Sequence, residues 1–177
     1  LEYLKSGSSI VDHTTTSADL AIEMNNLLSS KNINYLDAPV SGGQAGAEAG
    51  QLSIMVGGDE ESFNQVEDII KSYSKFTKYM GPSGSGQLTK MVNQICLTGL
   101  IQSLAEAINF SEKSGLNTSD VIEVISKGAA QSWQMENRWE TMLDDFYDHG
   151  FAVDLMRKDL EIVINEAKKN NVQIEVT

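Results

Sequence analysis

Gly81-Pro82-Ser83-Gly84-Ser85-Gly86-Gln87-Leu88-Thr89-Lys90-Met91-Val92-Asn93-Gln94 decides how this chain is read. It opens as a glycine-rich turn and becomes the start of a long helix. At about 3.6 residues per turn, Lys90, Asn93 and Gln94 share one face within about 100° of arc. The same stripe continues through Leu97, Ile101, Leu104 and Ile108. A face that passes from an amine and two amides to aliphatics predicts a helix buried below and open to a cleft above. An amine at that junction is a candidate proton donor, because partial burial lowers a lysine pKa. The plain alternative is a solvated side chain in the first turns of a helix. Gly84 to Thr89 also half-matches the G-x-G-x-x-G fingerprint, but the third glycine is missing and no acidic residue follows on a suitable strand.

Upstream of this stretch the pattern is mixed α/β. Ser9 to Asp12 reads as a strand, followed by the polar run Thr14-Thr15-Thr16-Ser17. Thr16 with Asp19 fits a capping box, and Leu20, Met24, Leu27 and Leu28 give a helical stripe over 17–30. Ile33 to Leu36 reads as a second strand, and short links on both sides of the helix favour parallel pairing. That strand runs into Asp37-Ala38-Pro39-Val40-Ser41-Gly42-Gly43. Glycines let the backbone approach a ligand, and their N–H groups can point at an anion. An ordinary turn has the same letters. Thr14 to Thr16 sit at the matching end of the previous strand, where open α/β sheets place their binding loops. Gln44 to Gly50 reads as a loop, Gln51 to Val56 as a strand, and Asp59 as the cap of a helix carrying Phe63, Val66, Ile70 and Tyr73. Lys75 to Met80 reads as the last strand.

Downstream the pattern is helical. The long helix is expected to stop at Gly115, and Asn117 or Thr118 to cap the next, with Val121, Ile122 and Ile125 turned inward. Gly128-Ala129-Ala130 breaks it. Ser132 to Leu143 is amphipathic, with Trp133, Met135, Trp139 and Met142 expected in a core. Leu155 to Lys169 is a final helix, and Lys158-Asp159 within it reads by default as a surface pair. The fold class is therefore α/β followed by all-α, with a domain boundary placed between 1–82 and 83–177.

Composition narrows the function. A chain of 177 residues at 41% hydrophobic can bury a core, and a net charge of -12 argues against nucleic acid and anionic membrane surfaces. The single cysteine, Cys96, excludes a disulfide framework and is expected to pack in the apolar part of the long helix. No apolar run of about 18 residues exists and no signal peptide is visible, which reads as a cytoplasmic protein. His13 and His149 are isolated, no His/Asp/Glu cluster has ligand spacing, and no metal is expected. The chain starts at Leu1 rather than Met and ends after Val172 to Thr177 without an evident finish, so both ends read as cut.

The Asp37–Gly43 and Gly84–Gln94 stretches together resemble the β-hydroxyacid dehydrogenase family, which includes 3-hydroxyisobutyrate dehydrogenase, tartronate semialdehyde reductase and, more distantly, 6-phosphogluconate dehydrogenase. The first is similar to the family's substrate-binding signature and the second to its catalytic-lysine helix. Gln51-Leu52-Ser53-Ile54-Met55-Val56-Gly57-Gly58 matches the strand between them, and Phe151 with Lys158-Asp159-Leu160 a later motif. Gly128-Ala129-Ala130-Gln131-Ser132-Trp133 suits the 3-hydroxyisobutyrate dehydrogenase group. The resemblance implies the C-terminal part of a Rossmann-like NAD(P)-binding domain, without its G-x-G-x-x-G half, joined by a long helix to a helical domain.

It also implies hydride transfer between NAD or NADP and the β-carbon of a small hydroxyacid. In that reading Lys90 is the general acid/base. Ser41, Gly42 and Gly43 hold the substrate carboxylate, and Thr15, Thr16 and Lys158 lie on the cofactor side. Many family members carry Asn four residues after the lysine. This chain has Asn93 at three and Gln94 at four, so Asn93 is the expected substrate contact and Gln94 the alternative. A homo-oligomer is expected, a dimer or tetramer. The competing readings are a non-catalytic binding protein on the same fold, and an inactive structural fragment of an active parent.

Overall fold

The computed structural model describes residues 3–148 and 150–177; Leu1, Glu2 and His149 lie outside the described residues. Among the described residues the order is β1 (Ser9–Asp12), α1 (Ala18–Ser29), β2 (Asn34–Asp37), β3 (Val40–Ser41), α2 (Gly43–Glu48), β4 (Leu52–Gly57), α3 (Glu60–Lys71), β5 (Ser74–Gly81), α4 (Ser85–Lys113), α5 (Thr118–Ile125), α6 (Trp133–Leu143) and α7 (Val153–Lys169). The chain divides into two compact units, Leu1–Gln94 with Val153–Ile174, and Ile95–Ala152 with Glu175–Thr177. Sequence texture alone puts the change at residue 82. Helix α4 runs on through both spans.

The first unit is built on a mixed sheet. β1 pairs in parallel with β2, Ile10 opposite Tyr35 and Val11 opposite Leu36, as the strand–helix–strand spacing predicts. β2 and β3 then lie along one edge of β4, both antiparallel to it, with Asp37 opposite Gly57, Val40 opposite Ile54 and Ser41 opposite Ser53. Pro39 stands between the two strands. It has no N–H for a ladder, while its carbonyl still accepts from Met55 N at 3.1 Å. β5 closes the other edge of β4 in parallel.

Strand alternation separates two cores. Ile33 and Tyr35 pack with Ala21 and Leu28 of α1. Leu36, Ala38, Leu52, Ile54 and Val56 pack with Phe63 and Ile70 of α3. Burying each of these large side chains contributes about 1.5–3 kcal/mol. Asp59 caps α3, its side chain accepting from Ser62 N. The α1 cap is Ser17, which accepts from Leu20 N, and not Thr16 as the capping-box pattern suggests. Thr16 N is instead bonded to Gln87 Oε1 at 3.0 Å.

Gln44 to Gly50 is not a loop: Gly43–Glu48 is a short helix. Gly42 (φ 139°) and Gly43 (φ 61°) both adopt conformations that L side chains rarely reach. Those two residues turn the chain sharply enough for α2 to begin immediately after β3.

The second unit is helical. Leu104 and Ile108 of α4 pack with Ile122 of α5 and Met135 of α6, flanked by Trp139 and Met142. Asn117 caps α5 and Ser132 caps α6. Trp133 departs from its expected core position. It is 57% exposed, and the Arg138 guanidinium lies over its ring at 5.2 Å. Cys96 is also exposed rather than packed. No helix among the described residues is long and apolar enough to cross a membrane.

Candidate active site

The site forms where β2 ends and α4 begins. Asp37 is fully buried, and its carboxylate accepts from Gly84 N at 2.8 Å and Gln87 N at 3.0 Å. These are N–H groups that a helix start cannot satisfy internally. Burial pushes the Asp37 carboxyl above its usual range, and the backbone N–H groups of Gly84, Gln87 and Gly86 pull against that. The turn fits tightly. A Cβ on Gly57 would lie 2.6 Å from Asp37 Oδ1 and 2.7 Å from Gly86 N, and one on Gly86 would run into the carbonyls of Asp37 and Met55. Gln87, fully buried, donates to Thr14 O at 2.8 Å and accepts from Thr16 N at 3.0 Å. One glutamine thus fixes the polar loop at the carboxyl end of β1.

One turn further along α4 stands Lys90. It is only 8% exposed, and its Nζ donates to Val40 O at 2.8 Å. That carbonyl immediately precedes Ser41, so the amine is held at the start of the Ser41-Gly42-Gly43 turn. Ser41 is half-buried, and Gly42 and Gly43 are exposed. Burial lowers the Lys90 pKa, the Asp159 carboxylate opposes the fall, and the Lys158 ammonium adds to it. The amine is therefore easier to deprotonate than a free lysine.

Asn93 and Gln94 follow on the same face. Asn93 Nδ2 donates to Gln94 Oε1 at 2.8 Å, and Gln94 Nε2 donates to Asp159 Oδ2 at 2.6 Å. Gln94 is 1% exposed and Asp159 2% exposed, so Lys158-Asp159 is not the surface pair that its sequence position suggests. Lys158 Nζ lies 3.0 Å from Asp159 Oδ1 as an ion pair, without hydrogen-bond geometry. The same Nζ donates to Thr15 O at 2.8 Å. Asn93, Gln94, Asp159, Lys158 and Thr15 thus form one connected chain, with Thr16 joined to the same loop through Gln87. Sequence reasoning assigned no role to Asp37, Gln87 or Asp159. Asp37 and Gln87 lie inside the motifs that drew attention, and a buried acid before Ala-Pro or an amide after Gly-Ser-Gly was the available signal. Asp159 is marked only by the Lys158-Asp159-Leu160 resemblance, because a charged pair on a helix looks the same in sequence whether or not it is covered.

The residues present suit a nicotinamide dinucleotide. Lys158, with its side chain 48% exposed, brings a cation to the Thr15–Thr16 loop at the carboxyl end of a parallel strand, which is where such sheets bind dinucleotides. Among the described residues no group of three or more His, Cys, Asp or Glu could hold a metal ion.

Comparison with known proteins gives the family. Residues 84–177 match the family described as NAD-binding of NADP-dependent 3-hydroxyisobutyrate dehydrogenase, and residues 1–81 the NAD binding domain of 6-phosphogluconate dehydrogenase. The cofactor class is NAD or NADP. An uncharacterized oxidoreductase of Shewanella frigidimarina is 55% identical over 98% of this chain and 60% of its own length. A 2-(hydroxymethyl)glutarate dehydrogenase of Eubacterium barkeri is 38% identical over 100% of this chain and 59% of its own. The crystal structure of a 3-hydroxyisobutyrate dehydrogenase from Salmonella typhimurium superposes with a TM-score of 0.87 at 30% identity, over 98% of this chain and 61% of that one. The chain thus spans about 60% of the length of the relatives it matches. With a buried lysine at the foot of a Ser-Gly-Gly turn, an α/β sheet followed by helices, and a family match over its C-terminal half, the chain belongs to the β-hydroxyacid dehydrogenase family.

Proposed function

We propose that the protein carrying this chain oxidises and reduces a small β-hydroxyacid, such as 3-hydroxyisobutyrate, with Lys90 as general acid/base. When bound, the nicotinamide accepts or returns the hydride. The protein's residues do the rest. As hydride leaves the alcohol carbon, the hydroxyl acquires alkoxide character, and neutral Lys90 Nζ takes its proton; in reduction the ammonium gives it back. The Ser41 hydroxyl and the N–H groups of Gly42 and Gly43 hold the substrate carboxylate. Asn93 orients the substrate, and Gln94 supports it from behind. Lys158, Thr15 and Thr16 face the cofactor.

The observation that carries this reading is the Lys90 amine, 8% exposed and bonded to Val40 O beside the Ser41–Gly43 turn. A solvated surface lysine has no reason to desolvate there. In the native-length protein Lys90→Ala should abolish turnover while NADH fluorescence still reports binding; near-normal turnover refutes the assignment. Ser41→Ala removes one bond to an anion, worth about 1.5–3 kcal/mol, so KM should rise about 10- to 100-fold. An unchanged KM removes Ser41 from the carboxylate site.

A further inference from the structure

Asp159 raises a question that the proposed chemistry does not answer. A carboxylate with 2% exposure carries a heavy desolvation penalty that only pairing offsets. Its Oδ2 is met by the Gln94 amide at 2.6 Å. Its Oδ1 is buried and receives no hydrogen bond, only the Lys158 ammonium at 3.0 Å. A residue needed only to staple α7 to α4 could be a neutral amide, with no charge to compensate. Here the charge is kept, and it acts on two lysines. Lys158 is held by it and reaches Thr15 O at 2.8 Å. Lys90 stands one turn before Gln94 on the same face of α4, so the carboxylate that Gln94 binds at 2.6 Å lies beside the amine's own stretch of helix; there the carboxylate opposes the effect of burial on Lys90 and the Lys158 ammonium adds to it. Both charged groups acting on Lys90 stand on α7.

Resting on the reading above, we propose that Asp159 is a positioning residue for both lysines: its buried carboxylate, clamped by Gln94, fixes Lys158 against the Thr15 loop and sets the charge felt by the Lys90 amine. Without it the Lys158 charge would act on the Lys90 amine with no carboxylate to oppose it. The amine would then lose its proton too readily to return it in reduction. Gln94, which stands where many family members carry Asn, is thereby part of the clamp rather than of the substrate pocket.

The sign of two substitutions tests this. The Cε resonance of Lys90, assigned with Lys90→Met, is followed against pH by NMR in isotope-labelled protein without cofactor or substrate. Asp159→Asn removes the opposing charge and should move the Lys90 titration to lower pH. Lys158→Met removes the like charge and should move it to higher pH. Asp159→Glu keeps the charge and should move it less than the Asn variant. In turnover, the acid limb of alcohol oxidation should follow the same directions, while kcat/KM for reduction should fall about 10- to 100-fold in Asp159→Asn. A titration that stays put in Asp159→Asn, or moves the same way in both variants, overturns the proposal. Should Asp159→Asn not fold, Lys158→Met, at a half-exposed position, decides by its direction alone. Loss of turnover in Lys90→Ala beside an unmoved titration sinks the clamp and spares the dehydrogenase reading. The reverse pattern does the opposite.

Discussion

Gly86→Ala sets helix propensity against packing, and the magnitudes say which wins. Gly86 lies in the first turn of α4. Propensity alone favours alanine there by about 1 kcal/mol. The added Cβ, however, would collide with the Asp37 and Met55 carbonyls and lie 2.8 Å from Asp37 Oδ2. Two of those neighbours are backbone atoms of a central sheet and cannot swing away. Forcing a methyl into such a place costs about 1–3 kcal/mol. Displacing the turn also breaks at least one of the bonds from Gly84 N and Gln87 N to the Asp37 carboxylate, costing about 1.5–3 kcal/mol more. The net expectation is a loss of about 1.5–5 kcal/mol, once the propensity gain is subtracted. Turnover should fall as well, about 100-fold for a displacement near 1 Å, because Lys90 sits one turn beyond. The assay is urea unfolding by far-UV circular dichroism, with hydrogen exchange at Gly84 and Gln87. Tryptophan fluorescence is the wrong probe, since Trp133 and Trp139 both belong to the second unit. A urea midpoint equal to or above that of the parent would refute the reasoning.

Other expectations follow from the same site. Lys90 has its pKa lowered chiefly by burial, so between its folded value and the ordinary lysine value of 10.5 the unfolded chain holds a proton that the folded chain has shed. Stability contributed by this position therefore rises with pH through that window. Relative to Lys90→Met, the parent should gain in urea midpoint as pH is raised from neutrality, and a constant or shrinking difference contradicts the burial. Gly42→Ala places a side chain at φ 139° with its Cβ 3.2 Å from Leu52 Cδ2. It should destabilise by about 1–3 kcal/mol and raise KM, whereas an unaltered melting curve would show that the turn can relax. Asp59→Ala removes the cap of α3, which accepts from Ser62 N, and should cost about 1 kcal/mol with kcat and KM unchanged; altered kinetics would contradict its remoteness from the site.

Local periodicity made most elements legible. β1, β2, β4 and β5, the Asp59 and Asn117 caps and the run of α4 all follow from alternation, apolar stripes and punctuating glycines. What failed was set by distant partners. Gly43 to Glu48 holds helix formers in Gln44, Ala45, Ala47 and Glu48, but the glycines among them read as a loop; the Gly42–Gly43 turn starts the helix and the Leu52 side chain covers Gly42 and Gly46. Ser17 rather than Thr16 caps α1, and Thr16 N is bonded to Gln87 instead. The antiparallel pairing of β2 and β3 on β4 depends on a register across Pro39, which no local rule supplies. In the site, the face of Lys90 and Gln94 could be read from spacing, because amines and amides continuing into aliphatics mark partial burial. The covering of Asp159 could not, because it arises only when α7 returns to α4 from 65 residues away.

The reach of the Asp37 carboxylate has a consequence for assembly. Its two backbone partners lie 47 and 50 residues further along the chain, beyond β4, α3 and β5. Closing so long a loop is entropically unfavourable until the intervening strands have paired. On that ground the first turn of α4 is expected to be secured late in folding, with Lys90 reaching Val40 in the same step; pulse-labelled hydrogen exchange at Gly84 and Gln87 that protects them before β4 and β5 would contradict it. A chain that stalls with its helices formed but its sheet incomplete would then be chemically silent, so reactivity arrives together with the finished architecture.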